Sequence, residues 1–348
     1  MKKFGVFLNI LKKHPIVSLY TVTCLVLPLF VQRQYYLRIL NEMFFYAALG
    51  SAWNILGGFG RQISWCSAAF FTTGAYTTML FFIKGGGVSP WITIWLGMGI
   101  SAILAVVIGS PSFRLRGVFF SIATISFASI VRQLLYVFTD LTGGAQGLRF
   151  MIRSHNSLWE LSLQDEMYWY YVAFVLMYVT VGVTILVERS RMGYYLKAIR
   201  DDEDAAQSLG IRAHRFKLFA FVISAMLIAA IGTFWGFKIS YIDPTSVASH
   251  ELSIRIAVVA IIGGIGTIWG PVLGAVIVVP GLEMANFFLS HIGHGGGGFA
   301  LYGLAMILIT LLKPNGLISL FQELEDRIAL WRRARREKST QEEMINHE

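Results

Sequence analysis

Residues 168–237 read YWYYVAFVLMYVTVGVTILV, then ERSRMGYYLKAIRDDEDAAQSLGIRAHRFK, then LFAFVISAMLIAAIGTFWGF: two apolar stretches of 20 residues around a charged stretch of 30. About 20 apolar residues are what an α-helix needs to cross the hydrocarbon core of a bilayer. The middle stretch carries 12 charged residues, which is too many to enter that core. The region therefore predicts two membrane-spanning helices joined by a polar segment outside the bilayer.

The composition of the rest of the chain agrees with this prediction. Of 348 residues, 55% are hydrophobic and 14% charged, against roughly 25% charged in a soluble domain. Three segments, 1–13, 188–217 and 313–348, hold 30 of the 49 charged residues. The net charge of +9 comes from basic residues that flank apolar stretches, which favours membrane topology over nucleic-acid binding. We therefore predict an all-α, polytopic integral membrane protein with no nucleic-acid partner.

About ten transmembrane helices are predicted from the apolar stretches, with a bacterial cytoplasmic membrane as the location. If the N-terminus is cytoplasmic, 21 of the 29 Lys and Arg residues lie on the cytoplasmic side and 6 on the other. This asymmetry favours a chain with both termini inside the cell. The predicted spans are 16–31, 39–57, 64–83, 90–109, 117–138, 168–187, 218–237, 251–268, 271–290 and 298–312.

The same pattern divides the chain into regions. Residues 1–15 form a basic cytoplasmic N-terminus and residues 16–312 the membrane domain. Within that domain, 139–167 is an outer loop and 188–217 a cytoplasmic segment. Residues 313–348 form a charged cytoplasmic tail, whose basic amphipathic stretch favours contact with anionic membrane lipids.

Sequence motifs for catalysis or cofactor binding are not found. The phosphate loop G-x-x-x-x-G-K-[ST] and the zinc motif H-E-x-x-H are both missing. His291 and His294 are close in sequence, but no third metal ligand lies near them. We predict no catalytic residues, no metal and no cofactor. A membrane-embedded enzyme remains an alternative class without supporting motifs.

Two glycine-rich breaks interrupt apolar stretches, at 57–60 (GGFG) and 263–266 (GGIG). Broken helices are tolerated at membrane depth where they line a cavity or pack inside protein. A pair of breaks in the two halves of a chain points to a translocation site at the midplane, built from a repeat. Close helix packing through small residues is the alternative.

Few ionisable residues lie inside the predicted spans, and each is costly there. Arg132 lies in the fifth span, Glu251 and Arg255 begin the eighth, and Glu283 lies in the ninth. We predict that Glu251 pairs with Arg255, four residues on, and that Arg132 pairs with Glu283. The alternative is a secondary transporter driven by an ion gradient through Glu251 or Glu283.

The charged segment 188–217 has the features of a docking element. Its periodicity predicts one helix over 193–209, with Gly210 as C-terminal cap. An acidic cluster at 201–204 precedes Ala205 and Ala206, where a partner protein could approach the backbone closely and be oriented by charge. A solvated helix at the membrane surface is the alternative.

With these motifs in view, the sequence resembles the branched-chain amino-acid ABC-transporter permeases, the subunit type that pairs with a homologous second permease. The resemblance runs from about residue 40 to 320. It rests on several separated motifs in the family's order: Asn54, Gly58, Phe59, Gln62, Ser64, 68–71 and 74–76, then 114–120, 142–147, 190–210, 217–225 and 263–274.

The resemblance implies the role of each region. The cytoplasmic segment would be the coupling helix that docks on a separate ATPase subunit. The complex would contain two permeases, two ATPases and a periplasmic substrate-binding protein, working by alternating access. The coupling residues implied are Arg200, Asp201, Asp202, Glu203, Ala205, Ala206 and Gly210. The predicted translocation pathway passes Gly58, Gln62, Ser64, Ser67, Gly263, Gly264 and Gly266.

This chain departs from the family pattern near that pathway. Residues 65–67 are Trp-Cys-Ser where relatives usually have L-G-H or L-G-Q, and Arg61 and Thr72 replace glycines. Ser129 stands where an acidic residue is often found. A branched-chain amino acid is the substrate that the resemblance implies, and urea, amides or aromatic acids are the alternatives within the family.

Overall fold

The computed structural model describes residues 33–150, 161 and 165–291, together with 23–24, 26–28, 30, 303–304, 307 and 316–319. Its helices are α1 (Gln34–Gly57), α2 (Ser67–Lys84), α3 (Pro90–Ser112), α4 (Val118–Val137), α5 (Thr139–Thr142), α6 (Glu166–Glu188), α7 (Arg191–Asp201), α8 (Glu203–Ser208), α9 (Ala213–Ile239), α10 (Pro244–Val247), α11 (His250–Gly264) and α12 (Gly270–His291). A 3-10 turn (Gly144–Gln146) and strands β1 (Leu148–Arg149) and β2 (Tyr241–Ile242) complete the described elements.

Within the described part of the chain, five helices are long and apolar enough to cross a membrane. They are Pro90–Ser112, Val118–Val137, Glu166–Glu188, Ala213–Ile239 and Pro244–Gly264, and Gly270–Ala285 is a shorter apolar helix. Helices suit a membrane because each satisfies its own backbone hydrogen bonds. The chain is thus mostly helical and multi-pass. The predicted spans 16–31 and 298–312 lie largely outside the described residues, so the count of ten and the orientation stay predictions.

The long helices pack as a bundle whose directions follow from a few contacts. Residues of α1 and α6 meet near both helix starts, where Asn41 donates to Glu166, and near both ends, where Thr184 donates to the Ser51 carbonyl. These two helices are therefore parallel. Helices α2 and α9 also touch near both their starts and their ends, and between these contacts Thr78 Oγ1 lies 3.1 Å from Thr233 Oγ1. These two helices are therefore parallel as well. The buried core lies mainly among α1, α2, α6, α9, α11 and α12.

Helix α4 is attached to this bundle by few contacts. Only Phe120, Thr124 and Ala128 of its 20 residues are buried. The opposite face carries large exposed apolar side chains, Ile122 and Ile130 among them. In a membrane such a face lies against lipid or against another subunit.

A small two-stranded sheet connects the loop after α4 to the end of α9. Leu148 pairs with Ile242 and Arg149 with Tyr241, antiparallel. Phe150 then packs its ring against Phe237 at 5.0 Å. The sheet fixes part of the predicted outer loop 139–167, of which 151–160 and 162–164 lie outside the described residues.

Candidate coupling and translocation sites

The polar segment between α6 and α9, here called the coupling segment (residues 189–212), contains two helices. The single helix predicted over 193–209 is therefore wrong in one respect: the chain leaves helical geometry at Asp202, whose φ and ψ are −154° and 113°. Asp202 then caps α8, since its Oδ1 accepts a hydrogen bond from the Ala205 N–H at 2.9 Å. An aspartate that caps a new helix competes with continuing the old one.

The predicted C-terminal cap at Gly210 is present. Gly210 has φ of 85°, its N–H donates to the Gln207 carbonyl, and the N–H of Ile211 donates to the Ala206 carbonyl. These two bonds form a Schellman motif, which needs a left-handed residue that glycine adopts at least cost. The chain therefore turns sharply from α8 toward the membrane-spanning α9.

A buried ion pair holds the coupling segment on the bundle. Lys217 of α9 has a side chain only 4% exposed, and its Nζ lies 2.6 Å from Oε2 of Glu203. Beside the pair, Ile199, Ala206 and Ala213 form a small apolar cluster. Glu203 and Ala206, both predicted to contact an ATPase, thus face the bundle and position the segment.

Two further ion pairs connect the coupling segment to its neighbours. Arg116, in the turn between α3 and α4, forms two hydrogen bonds with Asp204, at 2.9 and 3.2 Å. Lys197 pairs with Glu188 at the end of α6. The first pair is solvent-exposed and contributes at most about 1 kcal/mol. These pairs set the orientation of the segment more than its stability.

The outward face of the coupling segment is acidic and carries small side chains. Leu209 projects from it with 84% of its surface exposed. Of the predicted coupling residues, those exposed on this face are Asp201, Asp202, Ala205 and Gly210. A protein docking there would meet two carboxylates beside an open stretch of backbone.

The two glycine-rich breaks meet each other, and Asn54 joins them. Its Oδ1 accepts a hydrogen bond from the Gly266 N–H at 2.9 Å, and its Nδ2 donates to the Thr267 carbonyl at 2.8 Å. Asn54 lies one turn before Gly58, where a side chain would overlap the Asn54 amide. We call this contact of residues 54–58 with 263–267 the glycine junction.

Arg200, at the end of α7, lies directly on the glycine junction. Gly266 has φ of 76°, and a Cβ placed on it would lie 2.5 Å from a guanidinium nitrogen of Arg200 and 3.1 Å from the Gly58 carbonyl oxygen. Both α1 and α11 end here, so the junction lies at the end of the bundle that carries the coupling segment. That these breaks form a translocation site at the membrane midplane stays a prediction.

An unwound stretch, residues 59–66, leads from the glycine junction back into the bundle. Its Ser64 carbonyl accepts a hydrogen bond from the indole of Trp53, one turn inside the end of α1. Helix α2 then starts in the interior, where the Ala68 N–H donates to Ser253 Oγ at 2.9 Å. Ser64 and Ser67 are buried, whereas Gln62 is partly exposed. Side chains thus satisfy a helix start placed inside the bundle.

Helix α4 covers the unwound stretch from the other side. The Trp65 N–H donates to Thr124 Oγ1 at 3.2 Å, and Ser121 Oγ donates to the Ile63 carbonyl at 2.9 Å. One turn beyond, Ser129 Oγ lies 3.1 Å from His250 Nε2 of α11. Hydroxyl groups therefore line the contact between α4 and the rest of the chain.

The predicted pairing of ionisable residues is half correct. Arg255 lies 2.6 Å from Glu251, as predicted, and also donates to the Tyr46 hydroxyl. Arg132 and Glu283 form no ion pair with each other. Among the described residues no group of three or more His, Cys, Asp or Glu could hold a metal ion. The side chains of His291 and His294, for which no metal site is predicted, lie outside the described residues.

The polar contacts of three residues were not predicted from the sequence. Asn54 was assigned no role beyond its place in a motif, although it bridges two breaks more than 200 positions apart. No polar partner was predicted for Lys217 or Thr124. Lys217 forms an ion pair with the coupling segment, and Thr124 accepts a hydrogen bond from the unwound stretch. A polar residue inside an apolar stretch is the one signal that marks Asn54 and Thr124.

Five helices long and apolar enough to cross a membrane, an interior chain break and a polar segment between two of these helices are the architecture of a multi-pass membrane protein. The profile of the family described as branched-chain amino acid transport system / permease component matches residues 35–312. The chain belongs to this family.

Named relatives agree with that assignment. The high-affinity branched-chain amino acid transport system permease proteins LivM of Salmonella typhimurium and of Escherichia coli are each 28% identical over 294 residues, 78% of this chain and 67% of theirs. LivH of Salmonella typhimurium, a permease protein of the same system by its name, is 24% identical over 306 residues, 81% of this chain and 96% of its own. No solved structure matches the chain.

Proposed function

We propose that this chain is a permease subunit of an ATP-driven importer for branched-chain amino acids in a bacterial inner membrane. Its partners would be a homologous second permease, two ATPases and a periplasmic binding protein. Family membership and the names of LivM and LivH support the transported substrate. ATP hydrolysis would occur on the separate ATPases, because this chain has no phosphate loop.

The contact between Arg200 and the glycine junction is the observation that carries the coupling part of the proposal. A partner that moves the exposed face of the coupling segment also moves Arg200, which lies against Gly266, and Gly266 in turn lies beside the Gly58 carbonyl. Those residues end α1 and α11, so a displacement outside the membrane would reach two spanning helices together. A bistable packed contact of this kind can convert a small shift into a change of state.

We further propose that solute passes beside the unwound stretch, between Gln62, Ser64 and Ser67 and the hydroxyl-bearing face of α4. The glycine junction, including Gly263 and Gly264, would then form the cytoplasmic end of that pathway. Irregular backbone is tolerated at membrane depth where it lines a cavity or is buried in protein. The exposed face of α4, with Ser126 and Gln133, would meet the second permease.

Uptake by the reconstituted complex tests the transport proposal. Proteoliposomes containing the two permeases and the ATPases, with binding protein outside, should accumulate labelled leucine only when ATP is present within reach of the ATPases. Urea, an aliphatic amide and an aromatic amino acid would serve as competitors. Uptake driven by an ion gradient without ATP would contradict the proposal and favour a secondary transporter.

A matched pair of variants tests docking on the coupling segment. Ala205→Trp puts a bulky side chain on its exposed face, where no bundle contact is lost. We expect it to reduce copurification of the ATPase at least tenfold while the two permeases stay together. Arg114→Trp, at an exposed position between α3 and α4, is the control and should copurify normally. Normal ATPase recovery and normal coupled hydrolysis with Ala205→Trp would overturn this role.

A further inference from the structure

A groove of about 460 Å³ lies where the coupling segment meets the first turns of α9. Its lining includes Tyr195, Leu209, Arg212, Arg215, Phe216 and Phe219. The rings of Tyr195 and Phe216 pack with centroids 4.7 Å apart, which gives the groove a fixed aromatic wall. The groove adjoins the outward face of the coupling segment at Leu209 but does not include its acidic residues 201–204.

The groove is lined by both basic and apolar side chains. Arg212 and Arg215 are both exposed, and neither forms an ion pair with any residue that the structure describes. Phe219, one turn beyond Arg215 in α9, exposes 60% of its surface, and Leu209, in the coupling segment, exposes 84%. Exposed guanidinium groups next to exposed apolar side chains fit a ligand that is itself an anion joined to a hydrocarbon.

The position of Phe219 selects the kind of ligand. It lies inside α9, the 27-residue apolar helix that spans the membrane, four residues and therefore about 6 Å beyond Arg215. A water-soluble protein that docks on the coupling segment could cover the arginines but could not follow the groove to Phe219. A lipid can, because its headgroup and its chains lie at these two depths.

We propose that this groove binds an anionic phospholipid from the leaflet on the side of the coupling segment. Arg212 and Arg215 would bind the phosphate of the headgroup, with charge-assisted hydrogen bonds from two planar guanidinium groups. The acyl chain would run along Phe219. Since the groove adjoins Leu209 and the cap at Gly210, the bound lipid would also fix the turn between the coupling segment and α9.

The test measures binding of fluorescent phosphatidylglycerol and fluorescent phosphatidylcholine to the purified permease complex in nonionic detergent. Phosphatidylcholine carries the same phosphate but offsets its charge with choline, so the arginines should favour phosphatidylglycerol; on the scale of a basic residue at an anionic leaflet, about fivefold each, two arginines give about thirtyfold. We expect the wild type to prefer phosphatidylglycerol by about that factor. R212Q/R215Q should bind both probes equally, and Phe219→Ala should weaken both alike.

Arg191→Gln is the matched control. Arg191 is an exposed arginine of the same coupling segment but does not line the groove, so its loss should leave the preference unchanged. Equal binding of both probes by the wild type, or an unchanged preference in R212Q/R215Q, would overturn the proposal. Displacement of phosphatidylglycerol by 10 mM inorganic phosphate would overturn it in favour of a free-anion site. Its displacement by a soluble subunit would assign the groove to a protein interface.

Discussion

Replacing Gly266 by alanine should disturb the glycine junction in two separable ways. Its φ of 76° is a left-handed conformation, which costs a residue with a Cβ about 1 to 2 kcal/mol. The new Cβ would also lie 2.5 Å from a guanidinium nitrogen of Arg200, a distance that real Cβ atoms do not show. Because the guanidinium is the end of a flexible side chain, we expect Arg200 to move and its contact with the junction to be lost.

Gly210→Ala provides the matched control for the first of these effects. Gly210 also has a positive φ, 85°, but a Cβ there would meet no atom within 4 Å. It should therefore lose only the conformational 1 to 2 kcal/mol, a factor of roughly 5 to 30 in the folded-to-unfolded ratio. Gly266→Ala should lose more stability than this, by the value of the Arg200 contact, and should also lower coupled uptake.

A double-mutant cycle with Arg200→Ala isolates the contact. Free energies of unfolding would be measured by denaturing-detergent titration of the complex in mixed micelles. Without the Arg200 side chain, adding Gly266→Ala should cost less than in the wild type, namely about 1 to 2 kcal/mol for the positive φ plus the cost of the 3.1 Å contact with the Gly58 carbonyl oxygen. The two single losses should thus be non-additive. Strict additivity, or equal losses for Gly266→Ala and Gly210→Ala, would refute the role given to Arg200.

Three other changes follow from polar contacts at Glu203, Asp202 and Ser253. Glu203→Gln leaves the buried Lys217 ammonium without its counter-ion and should destabilise the complex by about 3 to 5 kcal/mol, seen in the same titration; a loss below 1 kcal/mol would contradict burial of the pair. Asp202→Ala removes the cap of α8 and should cost about 1 kcal/mol, with faster amide exchange confined to the coupling segment. Ser253→Ala leaves the Ala68 N–H inside the bundle unsatisfied and should cost about 1 to 3 kcal/mol, whereas Ser253→Thr, which keeps the hydroxyl, should cost less.

Much of the helical bundle could be predicted because the length and hydropathy that identify a spanning helix are local properties of the sequence. The stretches predicted at 90–109 and 168–187 appear as Pro90–Ser112 and Glu166–Glu188. Twenty consecutive apolar residues have few alternatives to a spanning helix, so length and hydropathy suffice. The predicted start at 64, by contrast, is three residues early, because residues 64–66, Ser-Trp-Cys, carry no charge that would mark the boundary of the helix.

The contacts that define the candidate site could not be predicted in this way. Asn54 finds its partners at residues 266 and 267, and no spacing rule links positions so far apart. Glu203 was assigned to a docking surface because the family resemblance implies that it belongs to the coupling motif. Its partner, Lys217, lies beyond a sharp turn whose direction only the folded chain fixes.

The contacts of the coupling segment determine how a displacement of its exposed face would reach the membrane helices. The segment is fixed at its C-terminal side by the cap at Gly210 and the buried pair of Glu203 and Lys217. At the end of α7 it contacts Gly266, next to Gly58, through Arg200. A force on its exposed face would therefore be transmitted over a short distance to the ends of α1 and α11. Packed contacts such as these shift between discrete arrangements instead of deforming continuously. In the proposed importer this makes Arg200 a positioning residue, and the residues that touch the ATPase can vary without loss of the mechanical connection.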